Sequence, residues 1–121
     1  MMSSKKGILV DKSFAFAVSI VHLYQHLVEV KKEFVLSKQL LRSGTSIGAL
    51  IREAQNAESK ADFIHKLGIA QKECDETIYW LELLKATNYI NEETFSITNN
   101  HASELLKMLR SSIMTTKKNI T

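Results

Sequence analysis

The sequence predicts an all-α protein, an antiparallel up-down-up-down four-helix bundle in a single domain. Three observations carry that prediction. The 121 residues include no proline and only four glycines, so little in the chain breaks a helix. Apolar residues recur three and four apart in four long blocks, the period of a helix face. The blocks are separated by short polar punctuation, which sets consecutive helices side by side and antiparallel. A chain of this length can bury roughly two-thirds of its unfolded surface, enough for one core without metal or disulfide.

The first helix is expected from about Asp11 to Val30, with Asp11 or Ser13 offering a side-chain acceptor as cap. Phe14, Ala17, Val21, Tyr24 and Val28 form one seam, expected to face the core. Phe16, Ile20, Leu23, Leu27 and Val30 form a second stripe beside it. Two apolar stripes exceed what a monomeric surface helix needs. Either this helix is central, or Phe16, Ile20, Leu23 and Leu27 meet another subunit.

The second helix is expected from about Phe34 to Ala57, with Leu36, Leu40, Ser43, Ile47, Leu50, Ile51 and Ala54 as its core face. Gly44 and Gly48 sit beside that face. Mid-helix glycine costs about 1 kcal/mol relative to alanine, so both predict a close helix–helix approach. The third helix runs from Ser59 to about Asn88. Asp62 stands three residues after Ser59, a capping-box variant. Phe63, Leu67, Ala70, Cys74, Thr77, Leu81 and Leu84 follow at coiled-coil spacing. The fourth helix runs from Asn91 to Lys118. Glu92 and Glu93 suit its positive end, Lys117 and Lys118 its negative end. Phe95, Ala102, Leu105, Leu106, Leu109 and Ile113 form its stripe, and the tail beyond Lys118 is expected to fray.

Composition bounds function only loosely. The formal net charge is +3 and the pI about 9.0, weak evidence for an anionic partner. The lone Cys74 cannot form an internal disulfide, which suits a reducing compartment. The start MMSSKKGILV has no signal-peptide core before Asp11, and no apolar run nears the roughly 20 residues of a membrane span. The expectation is a cytoplasmic protein without a membrane partner.

Chemistry-bearing constellations are few. On the second helix Lys38, Arg42 and Arg52 fall within an arc of roughly 80°, shared with Thr45, Ala49 and Asn56. This is a candidate phosphate-tracking stripe for nucleic acid. The competing reading, weightier for a single chain, is a solvated face partly neutralised by Glu53. In an oligomer the stripe would repeat in every subunit and gain by avidity.

Arg42, Glu53, Glu73 and Glu76 form a second constellation, read as an inter-helix salt-bridge network or as exposed helix charge rather than acid–base machinery. A di-iron bundle needs two Glu-x-x-His motifs, whereas this chain has a single Asp62-x-x-His65. His22 and His26 are four apart but lack a third ligand in sequence, so no metal is expected. Cys74 reads as a small core side chain. Tyr79 and Trp80 lie off the seam of the third helix and are candidates for an inter-subunit contact. Phosphate-binding loops, dinucleotide fingerprints and helix-turn-helix cues are absent, and no cofactor is expected.

The run from Gln39 to Leu84 resembles the bacterial family of 23S ribosomal RNA intervening-sequence proteins. The matching positions are Arg42, Ser43, Ser46, Ile47, Ile51, Glu53 and Ala54, then Ser59, Asp62 and Phe63, then Glu73 and Glu76. The apolar pattern of the outer helices fits as well. The family's usual Asn on the second helix is Leu50 here, which puts any polar site built on that Asn in doubt. The resemblance implies a bundle that self-assembles, as a pentameric ring among relatives. It also implies kinship with the accessory protein of diversity-generating retroelements, a basic ring that partners reverse transcriptase and RNA. No enzymatic activity comes with it. The expectation is a non-enzymatic homo-oligomer, a pentamer by resemblance, that binds structured RNA or an RNA–protein complex through Lys38, Arg42 and Arg52. The alternative is a protein-assembly scaffold that binds no nucleic acid.

Overall fold

The computed structural model describes residues 5–119 and consists of four helices. They are α1 (Lys5–Glu29), α2 (Leu36–Ala54), α3 (Lys60–Ala86) and α4 (Glu92–Lys118). The expectations for the leader region at residues 1–4 and for the last two residues of the tail lie outside the described part. Each helix contacts the next, and α1 contacts α4, with no diagonal pair among the described residues. This is the square, antiparallel bundle that short connections impose.

The helix ends follow from local chemistry. Ser59 caps α3 by accepting the Asp62 N–H at 3.0 Å, while the Asp62 carboxylate accepts the Glu58 N–H at 3.2 Å. Asn91 caps α4 by accepting the Thr94 N–H at 2.8 Å. Asn88 takes the left-handed conformation at φ 68°, and Tyr89 N–H then reaches back to the Leu84 carbonyl at 2.9 Å. That closes α3 in the manner of a Schellman motif. The expected start of the first helix needs correction. α1 already begins at Lys5, so Asp11 and Ser13 lie within it, and the Ser13 hydroxyl donates to the Val10 carbonyl at 3.0 Å instead of capping.

The two stripes of α1 exchange their expected roles. Phe16, Ile20, Leu23 and Leu27 are sealed in the protomer's own core, with Ile20 and Leu27 fully buried. A side chain already inside the bundle cannot form an oligomer interface, so these four leave the list of interface candidates. In the other stripe Phe14 is 59% exposed, and Ala17, Val21, Tyr24 and Val28 are half-buried. The glycines explain the choice. A Cβ on Gly44 would meet Ile20 Cγ1 and Cγ2 at 2.9 Å, and one on Gly48 would stand 3.3 Å from the Ser13 carbonyl oxygen. α2 thus approaches α1 at Ser13 and Ile20, which turns the Leu9–Phe16–Ile20–Leu23–Leu27 side inward.

With apolar stripes on two sides, Gly7–Glu29 is long and apolar enough, by length and composition, to cross a membrane. This corrects the expectation that no such run exists. The remaining helices bury the predicted positions Leu40, Ile47 and Ile51 of α2, Leu67, Ala70, Cys74, Leu81 and Leu84 of α3, and Ala102, Leu105, Leu106 and Leu109 of α4.

Candidate functional site

The seam between α2 and α3 carries a connected polar network. Arg42 lies between two carboxylates one helical turn apart on α3. Its Nη1 donates to Glu73 Oε1 at 2.9 Å, and its Nη2 donates to Glu76 Oε2. Glu73 Oε1 also accepts from the Ser46 hydroxyl at 2.9 Å, and Glu76 Oε2 from Trp80 Nε1 at 3.1 Å. Beneath this surface layer the buried Thr77 hydroxyl donates to Ser43 Oγ at 3.0 Å. The hydrogen bond from Arg42 to Glu73 holds the guanidinium pKa above its usual value. Burial opposes that shift, and the fields of Glu73 and Glu76 add to it.

The arrangement is saturated. Two carboxylates converge on one guanidinium, so the cluster has no nucleophile and no spare base in contact with an open cleft. Arg42 remains half-exposed, and each of its pairs is worth about 0–1 kcal/mol, mostly as register between α2 and α3. Leu50, one helical turn beyond Ser46, packs against the core instead of extending the network.

Glu53 does not join this cluster. It stands three turns from Arg42 on the same helix, about 16 Å away along the axis, and accepts from Lys66 Nζ at 3.2 Å. The expected basic stripe is also interrupted. Lys38 and Arg52 are exposed, but Arg42, at its centre, is engaged by two carboxylates. Arg52 instead borders a groove between α1 and α2 of about 380 Å³, lined by Val10, Phe14, Ala17, Thr45, Gly48, Ala49, Arg52 and Glu53. The floor is apolar and the rim charged. Tyr79 is 55% exposed, and its ring meets that of the partly buried Trp80 edge-on at 5.0 Å.

The other candidates resolve simply. His22 and His26 are exposed on α1. Burial pushes the Cys74 thiol up to about 12, with the Asp75 charge adding and Arg110 opposing. Its Sγ donates to the Ala102 carbonyl at 3.2 Å, so it remains a protonated core group.

Two features escape the sequence reading. The groove does so because its wall, Phe14 and Ala17, reads equally well as a core seam; the paired glycines of α2 were the available signal. The second is Glu33, a buried carboxylate in the α1–α2 connection. Its Oε1 accepts the N–H groups of Val35 and Leu36 at 3.1 and 2.9 Å, and its Oε2 that of Ser37 at 2.7 Å. Burial pushes its pKa up, but these backbone donors outweigh burial and bring the net value below the ordinary one.

A family model described as 23S rRNA-intervening sequence protein matches residues 5–111. Among solved structures, the chain is similar to a protein of unknown function from the S23 ribosomal protein family of Bacteroides thetaiotaomicron. The two share 58% identity at a TM-score of 0.90, over 92% of this chain and 99% of the other. No curated protein matches the sequence.

Proposed function

The chain belongs to the 23S rRNA-intervening sequence protein family, and from that premise we propose that it is a non-catalytic, homo-oligomeric binding protein with RNA or an RNA–protein complex as partner. The observation that carries the self-assembly is the apolar face of α1. Phe14 and Val18 are exposed at 59% and 40% beside the groove shared with α2. A continuous apolar strip of this kind marks a surface that another macromolecule covers. A second copy is the occupant assigned here, closing into a ring as the family resemblance implies. Arg52 and Glu53 on the groove rim supply polar contacts of both signs around an apolar centre, the usual anatomy of an interface.

RNA is the partner that the family resemblance implies, and the net charge of +3 adds only weakly to it. A saturated α2–α3 network and a thiol locked in the core give no support to a catalytic role. A scaffold that binds only protein is the second reading, favoured by the exposed Tyr79 ring.

Light scattering tests the assembly. The expected mass is a multiple of 13.7 kDa, and Phe14→Asp, at an exposed position, reduces it to the single-chain mass with helical circular dichroism unchanged. Burying a phenylalanine side chain is worth about 1.5–3 kcal/mol, and an unpaired carboxylate in its place opposes association further. A wild-type protein that runs as a single chain at micromolar concentration overturns the assembly.

A further inference from the structure

The charges of the α3–α4 hairpin are sorted by height rather than interleaved. From Leu105 to Thr121 there are four basic side chains, Lys107, Arg110, Lys117 and Lys118, and no Asp or Glu. At the opposite end, from Glu73 to Glu93, six carboxylates face one lysine, Lys85. The antiparallel pairing puts the cationic half of α4 beside the first half of α3. Cys74 Sγ against the Ala102 carbonyl marks the middle of the pair, and Lys60 Nζ donates to the Asn119 carbonyl at 3.0 Å at its end. The first half of α3 contributes Lys60 and Lys72, both exposed, against the single carboxylate Asp62.

On α4 the four cations fall within an arc of roughly 100° around Met114 and span about 16 Å of helix. All four are exposed, and Met114 is 60% exposed. A solvated helix face ordinarily alternates sign three and four residues apart, because such pairs stabilise it. Here one carboxylate, Glu104, stands within a turn of the stripe, and it accepts from Lys12 on α1 at 3.0 Å. Among the described residues no ion pair offsets the mutual repulsion of Lys107, Arg110 and Lys117, and a polyanion laid along them would do so. A band of cations about 16 Å long can lie along several consecutive phosphates of one nucleic-acid strand. A lipid surface fits less well, since Met114 is the one large apolar side chain inside the arc.

We propose that the cationic half of the α3–α4 hairpin, centred on Lys107, Arg110 and Lys117, is the surface that contacts the phosphodiester backbone of RNA. This rests on the RNA-binding reading above and moves the contact from α2, where Arg42 is engaged by Glu73 and Glu76, to α4. The recognition is of phosphate rather than of base sequence, since no aromatic ring lies in the arc to stack a base.

The test is fluorescence anisotropy of the full chain with a labelled oligouridylate of about 20 nucleotides, from about 50 to about 200 mM salt. Three neutralised phosphate contacts correspond to a loss of about 2 in the slope of log affinity against log salt for a single strand. Lys107→Gln/Arg110→Gln/Lys117→Gln is therefore expected to lower that slope by about 2 and the low-salt affinity more than about 10-fold. Lys38→Gln, on α2 and outside the groove lining, is expected to stay within about twofold of wild type. Circular dichroism of both variants should match wild type, since every substituted side chain is exposed. Wild-type binding that the α4 variant leaves intact, or that the α2 variant reduces as much, overturns the placement while the RNA reading stands. No wild-type binding to the oligonucleotide overturns both. Binding to phosphatidylserine vesicles but not to the oligonucleotide replaces RNA with a lipid surface.

Discussion

At the scale of the residue, Glu33 shows what sequence patterns hide. Glutamate is a poor candidate for burial, and nothing in KKEFVLSK announces a cap. The conventional signals at Ser59 and Asn91 were legible because their short side chains sit at the cap position itself. Glu33 works from two residues ahead of Val35, wrapping a longer side chain onto three orphan N–H groups at the positive end of α2. Its folded pKa is lowered, so its stabilisation is full above the unfolded carboxylate value of about 4.3. It is lost as pH falls through the folded pKa. Glu33→Gln keeps the shape and removes the charge. It is expected to cost about 1–2 kcal/mol at neutral pH in urea unfolding. It should also make stability fall less steeply than wild type between about pH 5 and 3. Equal acid slopes in the two proteins would remove the carboxylate from the account.

At the scale of the element, helix existence was legible throughout and face assignment was not always. In α2, α3 and α4 one apolar stripe competes with polar residues, so Leu40, Leu67 or Leu105 could point only inward. In α1 both stripes are apolar, and periodicity alone cannot rank them. The deciding information lay on the neighbouring helix, in Gly44 and Gly48. Gly68, on α3, is the contrast: a Cβ there meets nothing within 4 Å. Gly44→Ala is expected to destabilise by about 1–3 kcal/mol, because the fully buried Ile20 must shift by more than the gain in helix propensity returns. Gly68→Ala is expected to stabilise by about 0.5–1 kcal/mol. Thermal melts of the two variants decide it, and a Gly44→Ala protein as stable as wild type would mean α1 and α2 can separate freely at Ile20. The seam at Arg42 was legible as a constellation, since the pairing of Glu73 and Glu76 follows from one helical turn. The loss of Glu53 to Lys66 was not, because it depends on how α2 and α3 face each other near their shared end.

At the scale of the whole molecule, two surfaces of different physics lie on different helices. The α1–α2 face is apolar, with Phe14 at its centre; the cationic half of α3–α4 is polar, with Glu104 its one acidic neighbour along α4. Neither was legible from net charge, because +3 averages a basic end with an acidic one. A chain that self-assembles through one surface and binds a polyanion through the other must respond to salt in two ways. Apolar association does not weaken as ions are added, whereas contacts to phosphate exchange with counterions and fall steeply. Light scattering from about 50 to about 500 mM salt is therefore expected to show an unchanged oligomer mass. Over the same range the oligouridylate dissociates. An oligomer that falls apart with the nucleic acid would mean charged contacts hold the copies together. The acidic end of one hairpin against the basic end of the next would then be the interface, in place of Phe14.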